Sequence, residues 1–194
     1  MPRPGDALDE VRRVFPLFKA PDLTILCGRL LAAGMRACAD LAEQARARRD
    51  APAAEDAAAA AGELAAWVER MRGVPFADHP YMATIAAERA TWEAERARLA
   101  GPSDPAAWGA AAKAWQDLGC PHRAGYAWWR RAQAQLDAGQ PAASGAAALC
   151  AAVTAAHGHE PLVAQVRALA ERARIPLHTA AAPRHRPVRA PRMG

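Results

Sequence analysis

Lysine is nearly absent from this chain, and with it goes the commonest route to nucleotide binding. Only Lys19 and Lys113 occur among 194 residues, and neither follows the glycines of a Gly-x-x-x-x-Gly-Lys-Ser/Thr phosphate loop, so ATP binding is not assigned. Serine is as scarce. Ser103 and Ser144 are the only two, and neither stands in a nucleophile elbow. No apolar run approaches membrane-spanning length and no charged-then-apolar leader opens the chain, so the expectation is a cytoplasmic protein without a membrane segment. Cys27, Cys38, Cys120 and Cys150 are scattered, which favours free thiols over a disulfide framework.

Zinc spacing is missing as well. Cys120 and His122 precede His157 and His159 by a gap that matches no common knuckle, so turn and cap roles are expected for these histidines, with no metal and no cofactor. Asp104, Asp117, Glu160 and Glu171 have capping or surface readings and no partner at catalytic spacing. The chain therefore reads as non-enzymatic.

A formal charge of +5 invites a nucleic-acid reading, but Arg184, Arg186, Arg189 and Arg192 carry most of it in an acid-free segment. Residues 178–194 form an expected disordered Arg/Pro-rich tail, able to give weak, salt-sensitive adsorption to DNA and no specific recognition. The body is close to neutral.

What is present is helix punctuation. Gly73 precedes Pro80, Gly101 precedes Pro105, Gly119 precedes Pro121, Gly139 precedes Pro141 and Gly158 precedes Pro161, with Ala, Leu, Arg and Glu between them. Glycine tolerates the left-handed cap past a helix end, while proline lacks a donor that the first turn of the next helix does not use. The expectation is an all-α fold of roughly seven helices, paired as antiparallel hairpins and stacked as a tetratricopeptide-like solenoid. Residues 1–20 form an N-terminal segment with Val11, Val14, Phe15 and Phe18 on one apolar face, and residues 21–177 the helical-repeat domain. In the helix ending near Ala100, Tyr81, Ile85, Trp92 and Leu99 are expected inward, and Glu88, Arg89, Glu93, Glu95, Arg96 and Arg98 largely outward.

Between Pro105 and Pro161 the pattern repeats. A shift of 20 residues carries Trp108 onto Trp128, Ala112 onto Ala132 and Ala152, and Gly119 onto Gly139. Large rings opposite alanines let helices approach closely, and no such unit buries its apolar face alone. The register predicts Trp108, Trp115 and Trp128 in the core.

Residues 30–177 resemble the helical-repeat region of large LuxR-family transcriptional regulators, which combine an N-terminal ATPase domain, a tetratricopeptide-like middle and a C-terminal helix-turn-helix. The residues that carry the resemblance are Ala39-Asp40-Leu41-Ala42-Glu43, His79-Pro80, Asp104-Pro105 with Trp108, and the run from Ala114 to Pro121. It continues through Ala124-Gly125-Tyr126-Ala127 and Arg131-Ala132-Gln133-Ala134 to the closing Ala170-Glu171-Arg172-Ala173-Arg174-Ile175-Pro176-Leu177. The chain departs from the family in lacking the phosphate loop, and the 17 residues after Leu177 are too few for a helix-turn-helix. The resemblance implies a sensor or interaction segment whose partners are proteins or attached regulator domains. A standalone helical adaptor unrelated to transcription is the alternative.

One cluster stands out as a partner contact: Tyr126, Trp129 and Arg130. Trp128 and Trp129 are adjacent and point about 100° apart on a helix, so if Trp128 is core then Trp129 lies at the edge or exposed, available as an anchor.

Overall fold

Proline and glycine divide the chain where the sequence places them. The computed structural model describes residues 3–17, 24–71, 82–156 and 158–177, and all secondary structure among them is helical. The elements are α1 (Pro4–Val14), a short 3-10 helix (Phe15–Leu17), α2 (Thr24–Arg48), α3 (Ala51–Met71), α4 (Met82–Ala100), α5 (Pro105–Asp117), α6 (Pro121–Asp137), α7 (Ala142–Ala155) and α8 (Glu160–Ala173). The expected Gly73-to-Pro80 junction, Phe18, Tyr81, His157 and the 178–194 tail lie outside the described residues.

Local chemistry explains the ends. Asp104 caps α5 by accepting from the Ala106 amide at 2.8 Å, and Pro105 takes the first helical position. Gly119 and Gly139 follow α5 and α6 with φ of 65° and 66°, a left-handed conformation that side chains resist. Around each, the same bonds recur: Gly119 N donates to Gln116 O and Cys120 N to Trp115 O, as Gly139 N does to Leu136 O and Gln140 N to Gln135 O. The 20-residue repeat is thus real at the turns, as two copies of one capping motif.

α1 is the helix beyond the expected seven. Its stripe of Leu8 and Val11, continued by Phe15, is buried against Leu31, Met35, Cys38 and Leu64 of α2 and α3. Consecutive helices pack on one another, and α2 also packs on α4. Gly28 lies against Glu88, Asp40 binds Arg98 and Arg46 donates to the Leu99 carbonyl, so α2 and α4 run parallel. Glu88 pairs with Arg123 and Glu95 with Tyr126, which sets α6 parallel to α4. α5 returns between them.

Trp108 and Trp115 are buried as expected, at 0% and 2% exposure, while Trp128 is only partly buried and Trp129 is buried at 8%. The expected order of the two neighbours is inverted. α6 is covered by α5 on one side and by α7 and α8 on the other, so it has no single inner face. Trp129 fills the cluster with Leu149, Leu162 and Val166, and Trp128 sits where three clusters meet. At Gly125 the approach of α6 to α7 is close enough that a Cβ would meet Ala156 N at 3.1 Å. Only glycine fits there without movement of the α7 backbone.

Candidate functional site

The charged residues of α4 are not a solvated face. Glu95, Arg98 and Glu88 are 0%, 2% and 7% exposed, against the expectation that they point outward. The cause is tertiary: α4 packs on α2 and α5, and the stripe that buries Trp92 also carries Glu95, one turn further on, to the Tyr126 hydroxyl of α6. Ile85 and Leu99 are partly buried on that helix, and Arg89 and Arg96 are exposed.

A buried network joins three helices. Arg98 Nε donates to Glu95 Oε2 at 2.8 Å and Arg98 Nη2 to Asp40 Oδ1 at 2.7 Å, while Nη1 stands 2.7 Å from Glu43 Oε2, close as an ion pair although not aligned as a hydrogen bond. From α6, Arg130 Nη2 donates to the same Asp40 Oδ1 at 2.8 Å, Nη1 to Gln133 and Nε to the Tyr126 hydroxyl. The Tyr126 hydroxyl in turn donates to Glu95 Oε1 at 2.6 Å. Burial opposes the Arg98 charge, but the carboxylates of Glu95, Asp40 and Glu43 more than offset it, and its pKa is raised further. Burial also pushes the Tyr126 phenol up to about 12, against the pull of Arg130, so it stays protonated and remains a donor to Glu95.

This network backs a groove of about 730 Å³ lined mainly by α2, α4, α6 and α8. Tyr126, Trp129 and Arg130 all line it, so the three residues singled out from the sequence do converge. The expectation that Trp129 stands exposed is corrected, because Arg130 stacks over its ring at 4.4 Å and Tyr126 lies 5.7 Å away, covering it. Arg130 is itself 5% exposed. These residues are a fixed wall rather than a protruding anchor.

The remaining candidates have separate structural roles. His159 Nδ1 accepts from the Leu162 amide as the cap of α8, and His122 lies 5.4 Å from it between ring centroids. Among the described residues no three His, Cys, Asp or Glu side chains gather to hold a metal. Asp117 pairs with Lys113, and Glu160 and Glu171 are exposed on α8. Cys38, Cys120 and Cys150 are free.

Sequence reasoning missed Asp40, Glu95 and Arg98 as one unit. The usable signal was spacing: Glu95 is three and Leu99 seven residues after Trp92, all on one helical face. Arg36 and Arg123 were missed too. Arg36 stacks on Tyr126 at 4.1 Å, and Arg123 stacks on Trp115 at 4.3 Å while pairing with Glu88. No described helix is long and apolar enough to cross a membrane. Set beside protein-family models, curated proteins and solved structures, the chain matches none of them.

Proposed function

We propose that this chain is a non-catalytic helical-repeat sensor or interaction module, tetratricopeptide-like in its stacking and of the LuxR-regulator type, acting in the cytoplasm on a protein partner or an attached regulator domain. The observation that carries the reading is the groove. Its wall of Tyr126, Trp129 and Arg130 is pinned by contacts inside the protein, so little ordering of those side chains is left to be done on contact. Its acids, Asp40, Glu43, Glu88 and Glu95, are all ion-paired with arginine, which suits a fixed scaffold better than a general base. The parallel setting of α2, α4 and α6 supports a repeat in which one helix of each hairpin lines the contact surface. The link to LuxR-type regulators rests on the ordered text from Ala39 to Leu177.

The test is a two-hybrid screen against the products of the genes adjacent to this one, with Ala33→Trp as the discriminating variant. Ala33 is exposed and lines the groove, so the ring would fill the groove without disturbing the core. A contact with an ATPase or helix-turn-helix protein, lost in Ala33→Trp while the melting temperature holds, is the expected result. A contact indifferent to Ala33→Trp would remove the groove from the account.

A further inference from the structure

The charges around the groove are not evenly satisfied. Each of its acids has an arginine partner, whereas Arg29 is exposed and has no ion-pair partner among the described residues. Arg36 is nearly as unengaged. Its only ion contact among the described residues is Nε to Asp40 Oδ2 at 3.8 Å, too long for a hydrogen bond, because Asp40 Oδ1 is already shared by Arg98 and Arg130 and holds that carboxylate toward them. The Arg36 guanidinium nevertheless has a fixed plane, stacked at 4.1 Å on Tyr126, and is 34% exposed with its terminal amines donating to no described acceptor.

Arg29 and Arg36 are seven residues apart, two turns along one face of α2, and Ala32 and Ala33 between them also line the groove. Small side chains flanked by two arginines leave floor space beneath free donors. Gly28 packs on Glu88, and Glu88 is bound by Arg123, so Arg29, Arg123 and His122 share one end of the groove. Over the whole lining, Arg29, Arg36, Arg123, Arg130 and Arg172 outnumber Asp40, Glu43, Glu88 and Glu95 by one. The surplus is positive and made of donors.

We infer that this end of the groove, between Arg29 and Arg36 of α2, binds a small oxyanion, a carboxylate or phosphate compound. The size of the cavity fits a small molecule, since pockets of several hundred Å³ enclose ligands of that class. A planar guanidinium held on an aromatic face and open along its edge matches the two oxygens of one carboxylate or phosphate. Tyr126 cannot compete for the ligand as a donor, because its hydroxyl is committed to Glu95, nor can Thr91, whose hydroxyl donates to the Ala87 carbonyl. Arg36 and Arg29 therefore set the charge of what enters. This site rests on the reading of the groove as the contact surface.

The test is calorimetric titration of the full chain with citrate for the carboxylate arm and with ADP and inorganic phosphate for the phosphate arm. Saturable binding of a probe from either arm is expected, weakened at least about tenfold by Arg36→Met. Arg29→Ala, at an exposed position that cannot unfold the core, is expected to weaken it severalfold, and Arg167→Ala, exposed on α8 away from the groove, to leave it unchanged. No saturable binding of any probe at millimolar concentration overturns the site. So does equal weakening by Arg167→Ala, which would mean bulk charge, and so does binding of a glutamate-rich peptide with none by the small anions. A two-hybrid contact still sensitive to Ala33→Trp would, in each of those cases, leave the module reading standing.

Discussion

Replacing Glu95 by alanine is expected to destabilise the fold by about 3 to 5 kcal/mol, the range for removing one partner of a buried ion pair. Glu95 is fully buried, bound to Arg98 on its own helix and to the Tyr126 hydroxyl of α6. Its loss leaves Arg98, itself 2% exposed, with a smaller complement of acids and leaves a buried phenol without its acceptor. The double variant Glu95→Leu with Arg98→Met should recover much of that loss, since apolar replacements of similar volume carry no desolvation penalty and Asp40 still has Arg130. Urea melts of the three proteins decide it. A single-variant cost below about 1 kcal/mol would show that the network is not a structural link between α4 and α6.

Trp108→Ala carries the second large effect, again about 3 to 5 kcal/mol. The ring is fully buried, meets Tyr126 edge-on at 5.8 Å between centroids and donates from Nε1 to the Ser103 hydroxyl at 2.7 Å, so truncation opens a cavity and removes that bond. Trp128→Ala should cost distinctly less, because Trp128 is only partly buried although the repeat places it in register with Trp108. The same melts test both. Equal losses would restore the register that the burial of Trp129 has overturned.

That contrast marks how far the sequence could be read. Helix ends were legible because Gly119, Gly139, Asp104 and Pro105 act within a few residues of themselves, through backbone conformation and capping that need no tertiary partner. The inward faces of Trp108 and Trp115 were legible because α5 has a narrow buried stripe. α6 defeated the same reasoning, since helices cover it on several sides and periodicity no longer separates Trp128 from Trp129. Glu95 and Arg98 were misplaced for a different reason. Charge usually marks a solvated face, and the partner that buries Arg98 lies 58 residues away in Asp40, while Arg130 reaches that same carboxylate from 90 residues away. Of the groove, the cluster Tyr126, Trp129 and Arg130 was visible as aromatic and arginine text, but its wall from α2 was not, because nothing local relates Arg36 to Tyr126.

The most direct measurement is photo-crosslinking in the native cell from a benzophenone amino acid placed at Ala33, in the groove, and separately at Ala110, exposed on α5 and outside it. If the groove of α2, α4 and α6 is the contact surface, Ala33 gives a defined adduct with a regulator protein and Ala110 gives none. An adduct formed from Ala110 and absent from Ala33 would contradict the account.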